Sequence, residues 1–183
     1  MAILSNTPDA SKLAFHLELL RGERYNNLKV EPDVPLAKNG EPYTKWIIYR
    51  MALKIEDQIL YESKKETTLI LEDLEWLSKG LKELVDKKRQ ELHFEPIEPD
   101  FNLTIKQCIE KDVDYDDHGN EIPGTEKEVI LDYYQVIVWI DHLNQAKRRY
   151  SGEGPGLVFY VEREELAGFR KDLLGEKKKL GKY

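Results

Sequence analysis

Acidic residues are concentrated in the segment 110–128. Three of them have the one-three-five spacing of a calcium-binding loop: Asp112, Asp114 and Asp116. An EF-hand loop also requires glycine at position six and glutamate at position twelve. This chain has Asp117 and Pro123 at those positions. We therefore predict no metal site and no cofactor, and we interpret the segment as a solvated, mobile acidic hairpin.

The other groups that could do chemistry are dispersed along the sequence. The four histidines are His16, His93, His118 and His142. No two of them have the spacing of zinc ligands, and no cysteine lies beside them. The pair Asp141-His142 at the end of a predicted strand could transfer protons, but we interpret His142 as a solvent-facing histidine at a strand end. Cys108 has no histidine nearby to activate it, so we predict a passive, half-buried or buried thiol. No catalytic residues are predicted.

Two segments have compositions that occur in binding sites. Glycine alternates with other residues over 152–156, but these residues precede a strand and lack the helix N-terminus that would hold a phosphate. Residues 147–150 read Lys-Arg-Arg-Tyr, yet the chain has 28 basic and 35 acidic residues and a net charge of −7. That charge opposes binding to nucleic acid or to an anionic membrane. The longest apolar run, 136–140, is far shorter than the roughly 20 residues of a membrane helix.

Hydrophobic periodicity predicts the elements that would position these residues. Alternating apolar residues predict strands at 12–20, 43–53, 58–62, 66–71, 92–94, 101–109, 128–143 and 157–161. Leucines at helical spacing predict helices over about 72–88 and 163–175. Each helix begins with acidic residues directly after an extended apolar stretch. Because hairpin-length connections dominate, we predict an α+β fold. Its mainly antiparallel sheet is built as a meander and hairpins, with both helices on one face or at one end.

Several local features follow from residue types. We predict turns at 21–23, 56–57 and 63–64, a close neighbour against Gly80, and the end of the second helix at Gly175. The chain, 1–183, is predicted to be one domain. We expect a frayed start over about 1–11 and a basic, mobile tail over about 176–183. One cysteine and no secretory signal predict a cytoplasmic location.

The order of elements resembles that of the WapI-type immunity proteins and related uncharacterised bacterial families. The resemblance covers about 43–176, and the N-terminal 42 residues are only loosely alike. The matching pieces are an aromatic-started strand, an acidic helix start, a Glu-Pro-rich strand entry, a long strand, and a final strand with the helix that follows it. In this sequence they are residues 46–53, 69–84, 94–105, 136–140 and 157–174.

The resemblance implies a protein that binds and neutralises a toxin domain made by the same cell, in a family with no known active site. We therefore predict a small cytoplasmic bacterial protein that binds another protein, for which a basic toxin domain is the candidate. The predicted contact residues are Asp112, Asp114, Asp116, Asp117 and Glu121. One alternative is an enzyme whose site gathers dispersed groups such as His93, Glu95, Glu98, Asp141 and His142. Another is a structural or accessory protein of a mobile element. The oligomeric state is not predicted.

Overall fold

A computed structural model describes residues 1–6, 12–24, 45–64, 66–96, 100–140 and 154–180. These residues form nine strands and two helices in two antiparallel sheets. The predicted α+β class and the antiparallel pairing are therefore confirmed. The strands divide into two sheets, whereas the sequence suggested one.

The first sheet contains five strands. They are β1 (Ala2–Ser5), β2 (Leu13–Arg24), β3 (Lys45–Ile55), β4 (Gln58–Glu62) and β5 (Glu66–Ile70). The strands β4 and β5 both pair with β3, one after the other along the same edge, so β5 does not turn back onto β4. The predicted meander is wrong at this point because Ser63 holds the connection against β3. Its backbone N–H donates to Met51 O at 2.9 Å, and its Oγ accepts from Met51 N at 2.9 Å.

The second sheet contains four strands in sequence order. They are β6 (Glu91–Phe94), β7 (Phe101–Asp112), β8 (Lys127–Ile140) and β9 (Gly156–Glu162). In β7 the alternate residues Phe101, Leu103 and Ile105 are buried, which agrees with the alternation that predicted this strand. The strands β7 and β8 are much longer than their neighbours, so their distal ends extend past the sheet.

Two helices follow strands directly. They are α1 (Leu71–Val85) and α2 (Arg163–Lys179). Each begins with the same hydrogen bond, in which a carboxylate accepts the backbone N–H three residues earlier. Asp73 accepts from Ile70 at 3.0 Å, and Glu165 accepts from Glu162 at 2.8 Å. Among the described residues, neither helix has the length and apolar character needed to cross a bilayer.

The helices pack against each other and against both sheets. Arg170 Nε donates to Ser78 O at 2.9 Å, which ties α2 to α1. The hydroxyl of Tyr134 on β8 donates to Leu84 O in the last turn of α1 at 3.0 Å. Apolar residues of both helices and of the inner sheet faces belong to one hydrophobic core. The fold therefore depends on burying the apolar sides of both helices in the same core.

Both ends of the described chain are more ordered than predicted. Ala2 and Leu4 are fully buried, and β1 pairs with β2, so residues 1–6 are not frayed. The helix α2 continues past Gly175 to Lys179 because Lys177 pairs with Glu75 of α1 at 2.8 Å and Leu180 packs on the core. Residues 7–11 and 181–183, which complete the predicted ends, lie outside the described residues.

The predicted turn at 21–23 is also wrong, because these residues lie within β2. The strand passes through an irregularity in its pairing with β3 between Leu19 and Arg21 and continues to Arg24. A bulge lets a strand keep its partner while it bends, which accounts for turn-like residues inside it. The predicted turn at 56–57 is confirmed, whereas the chain does not reverse at 63–64, because β4 and β5 run in the same direction along β3. The predicted proline-rich loop 30–42 lies outside the described residues.

Gly80 gives a test of helix packing. An added Cβ would lie 2.5 Å from Leu92 Cδ1, so the predicted close neighbour is confirmed. We expect Gly80→Ala to lower the free energy of unfolding by about 1–2 kcal/mol, because the overlap with a buried leucine outweighs the gain in helix propensity. The matched control is Gly168→Ala in α2, where an added Cβ meets nothing within 4 Å.

Urea unfolding of the two variants measures the difference. Gly168→Ala should raise the free energy of unfolding by up to about 1 kcal/mol, since only helix propensity changes. Equal shifts for both variants would contradict the packing at Gly80.

Candidate functional site

The ends of β7 and β8 form an arm, defined as residues 109–130. The partner strands stop before it, since β6 pairs with β7 only as far as Lys106 and β9 pairs with β8 only as far as Tyr133. Beyond these points β7 and β8 pair with each other, from Ile109 opposite Ile130 to Asp112 opposite Lys127. The base of the arm is therefore a two-stranded ribbon, and solvent can reach both of its faces.

The arm holds nearly all of the net charge of the protein. It contains eight acidic and two basic residues, a net charge of −6, whereas the whole chain has −7. Its two lysines form ion pairs within the arm, from Lys111 to Glu126 at 3.0 Å and from Lys127 to Asp114 at 3.8 Å. The negative potential is therefore concentrated on one projecting element.

The tip of the arm is a hydrogen-bonded turn built on Asp116. Its Oδ1 accepts the backbone N–H groups of His118 at 2.8 Å and Asn120 at 2.9 Å. Gly119 has a φ of +79°, a conformation that glycine adopts without strain. The hydrogen bonds from Asn120 and then from His118 and Gly119 lower the pKa of Asp116. The segment is thus a folded hairpin, and its acidic tip keeps a defined shape.

The predicted contact residues occupy different roles in this hairpin. Asp116 holds the turn, Asp114 pairs with Lys127, and Glu121 lies opposite Tyr115 in an isolated bridge. Asp112 and Asp117 are exposed. In the part of the chain that the structure describes, no three His, Cys, Asp or Glu side chains gather as they would around a metal ion.

Apolar side chains lie between the acids of the arm. They are Ile109, Tyr115, Ile122, Val129 and Ile130, and all of them are exposed. Ile109 and Ile130 face each other across the ribbon, with Ile130 half exposed. Exposed apolar residues rimmed by charge are typical of surfaces that contact other proteins.

A second polar group lies on the outer face of β6 and β7. The Nδ1 atom of His93 lies 2.9 Å from Thr104 Oγ1, and its Nε2 atom lies 3.4 Å from Glu95 Oε1. The amide of Asn102 donates to Glu95 at 2.7 Å, and Thr104 Oγ1 lies 3.1 Å from Asn102 Oδ1. Two members of the alternative enzyme site, His93 and Glu95, therefore converge. Glu98, Asp141 and His142 lie outside the described residues.

The hydrogen bonds of this group orient the imidazole of His93. The single hydroxyl proton of Thr104 has two acceptors within reach, Asn102 Oδ1 at 3.1 Å and His93 Nδ1 at 2.9 Å, and the tautomer of His93 decides between them. The side chain of His93 is also 57% exposed, so water competes for its bonds.

A third polar group is buried where the two sheets meet. The hydroxyl of Tyr49 on β3 donates to the Asp100 carboxylate at 2.7 Å and lies 2.7 Å from Thr68 Oγ1. Since the phenol proton goes to the carboxylate, Thr68 donates to Tyr49. Burial and the nearby charge of Asp100 raise the pKa of Tyr49 well above its usual value. Glu66 lies opposite Tyr49 in the pairing of β3 with β5.

Sequence reasoning missed this buried group and found parts of the other two. The residues Tyr49 and Asp100 are 51 positions apart, and no local pattern links them. Alternation along β7 places Asn102 and Thr104 on the face opposite Phe101, but their contacts with His93 depend on strand pairing. Cys108 is half-buried, as predicted.

The fold and these surfaces define a small α+β protein with a charged arm built from its two longest strands. Comparison with protein-family models gives a match to the immunity protein WapI-like family over residues 9–176. The chain belongs to this family. The match extends the resemblance seen from 43 onward to most of the N-terminal segment. No curated protein and no solved structure gives a significant match.

Glu66 gives a test of the buried group through pH. Burial and then the charge of Asp100 raise its pKa from about 4.5 to about 7. The folded state therefore holds a proton that the unfolded state releases, so the stability that this proton contributes is fully present below about pH 4.5. It is lost as the pH rises through 7. We expect Glu66→Gln to be about 1 kcal/mol more stable than the wild type near pH 8, a value reduced for its half-exposed position.

Chemical unfolding near pH 4.5 and near pH 8 checks this expectation. The matched control is Glu62→Gln, an exposed glutamate at the end of β4. If Glu66→Gln and Glu62→Gln have the same dependence of stability on pH, Glu66 is not coupled to the buried carboxylate.

Proposed function

We propose that this protein is an immunity protein that binds and neutralises a toxin domain made by the same bacterial cell, and that it acts in the cytoplasm. The observation that carries the proposal is the family match over residues 9–176. Binding alone suffices for this function, because a toxin whose active surface is covered cannot reach its substrate. The proposed partner surface on this chain is the arm, 109–130.

The charge of the arm supports a basic partner. A net charge of −6 on one projecting ribbon attracts a positively charged surface and orients it during the encounter. The turn held by Asp116 supports the same role, because a preformed loop loses less conformational entropy on binding. Alone, the like charges remain hydrated and oppose self-association through the arm.

The apolar residues of the arm support a contact that excludes water. Ile109 and Ile130 form an exposed pair at its base, and Tyr115 and Ile122 lie nearer the tip. Charges alone give fast but weak association, whereas buried apolar area slows dissociation. We propose that the acids surround this apolar contact and that the five predicted residues belong to the charged border.

Co-production with a toxin tests the function directly. We expect a toxin gene beside the gene for this protein, and its toxin domain, produced in a host that it harms, is the probe. We expect the wild-type chain to restore growth and to form a stable complex with that domain in solution. Failure of both growth and complex formation would overturn the proposal.

The role of the arm is tested by neutralising three of its acids together: Asp112→Asn, Asp117→Asn and Glu121→Gln. Asp116 and Asp114 are kept because they hold the turn and pair with Lys127. The change halves the net charge of the arm, so we expect association with the toxin domain to slow about tenfold at low salt, with a weaker dependence on salt.

The matched control removes the same three charges elsewhere on the exposed surface: Asp57→Asn, Glu62→Gln and Asp172→Asn. Stopped-flow association rates at several salt concentrations compare the two triple variants. Equal slowing by both would mean that net charge matters and the arm does not.

A further inference from the structure

The outer face of β8 and β9 carries a cluster of exposed large side chains. Strand register places Trp139 opposite Gly156, Ile137 opposite Val158 and Gln135 opposite Tyr160, all on the same face. Trp139, Val158 and Tyr160 are 41%, 52% and 54% exposed. We call these three residues the aromatic face. Across β7 and β6 the same outer surface becomes polar, with Thr104 and His93 in register with Ile137.

The rings of the aromatic face are held in place before any partner arrives. The indole of Trp139 lies against the backbone of Gly156, where an added Cβ would be 2.8 Å from Cε3 and 3.1 Å from Cζ3. One ring surface is therefore supported while much of the side chain remains in contact with water. The hydroxyl of Tyr160 accepts from Gln135 Nε2 at 3.0 Å. Fixed aromatic side chains lose little entropy on binding, and tryptophan and tyrosine dominate the energetics of many interfaces.

We propose that the aromatic face is a second contact for the basic toxin domain and supplies most of the resistance to dissociation, while the arm governs association. This inference rests on the proposed function. Two observations favour one partner for both surfaces. First, β8 carries Val129 in the arm and Trp139 on the aromatic face, and their even separation along the strand places both side chains on its outer face. Ten residues of strand span about 33 Å, close to the width of one standard interface.

The second observation is chemical complementarity. A partner attracted by an arm of charge −6 presents arginine and lysine side chains. A guanidinium group stacks favourably on the face of an indole or phenol ring, and arginine is enriched beside such rings in interfaces. Glu162 lies at the end of β9 on the same outer face as Tyr160, where it can pair with such a cation. Val158, the rings of Trp139 and Tyr160, and the acids of the arm and Glu162 are thus all suited to contact one basic surface.

Val158→Asp tests the aromatic face, with Ile59→Asp as its matched control. Both residues lie on strands, and their side chains are 52% and 53% exposed, but Ile59 is on β4 in the other sheet. The probe is again the toxin domain encoded beside this gene. We expect Val158→Asp to dissociate about tenfold faster or more, with an association rate within about threefold of the wild type. Ile59→Asp should match the wild type in both rates.

A second variant, Trp139→Ala, guards against a local folding defect, and thermal unfolding of all variants is measured alongside. Both aromatic-face variants should dissociate faster while melting within a few degrees of Ile59→Asp. Suppose that Val158→Asp and Trp139→Ala dissociate at the wild-type rate while the triple arm variant associates slowly. That result would overturn this inference and leave the proposed function intact. If the wild-type chain does not bind the toxin domain, both fail.

The aromatic face could instead contact a second copy of this chain or another segment of the same chain, and each case gives a different experimental result. Sedimentation that shows a wild-type dimer converted to monomer by Val158→Asp would assign the face to a second copy of this chain. A large loss of thermal stability in Val158→Asp and Trp139→Ala, absent in Ile59→Asp, would assign it to another segment of the same chain. Either result would overturn the inference.

Discussion

Ring contacts around Phe101 join the two sheets, and the placement of every exposed surface depends on them. The Phe101 ring lies 5.9 Å from Phe15 and 6.1 Å from Tyr49 in the first sheet, and 5.8 Å from Phe94 in its own sheet. Phe15 in turn contacts Phe169 of α2. Aromatic pairs at these separations add attraction to the burial of their area. One buried ring therefore connects both sheets and, through its neighbours, the second helix.

The residue before Phe101 adds a polar constraint at the same junction. Asp100 is almost fully buried and accepts the Tyr49 hydroxyl from the opposite sheet. Apolar packing alone tolerates small slips, whereas a buried carboxylate loses much more when its hydrogen bond is displaced. The first residues of β7 are thus fixed in position relative to β3. Since β7 continues into the arm, the same junction sets where the arm leaves the body of the protein.

The concentrated charge and the exposed indole of Trp139 lie at opposite ends of the strand pair β7 and β8, although the charged end also carries Ile109 and Ile130. The inner residues of these strands are buried in the core, their outer residues include Trp139, and their distal ends hold a net charge of −6. The rest of the chain is almost neutral, so the negative electrostatic potential of the protein is centred on the arm. This separation lets long-range attraction and short-range contact be changed independently. It is the physical basis for assigning association and dissociation to different residues.

Local patterns in the sequence determined the elements of this fold. Alternation identified eight of the nine described strands, leucine spacing identified both helices, and the acidic first turns that the sequence displays contain the capping residues Asp73 and Glu165. These features depend on neighbours within a few residues, which a sequence displays directly. The acidic hairpin was also readable from composition, although its internal turn at Asp116 was not. The ends of the chain were misread because the burial of Ala2 and the anchoring of Lys177 need distant partners.

Tertiary structure alone decided which of these elements meet. It split the strands into two sheets, placed β5 beside β3, and brought Tyr49 to Asp100 across 51 positions. It also placed Trp139 on Gly156, from a part of the sequence where the glycine suggested only a flexible connection. The reason is physical: strand partners and buried polar contacts are selected by the packing of the whole core. Local residue preferences fix only the conformation of each segment.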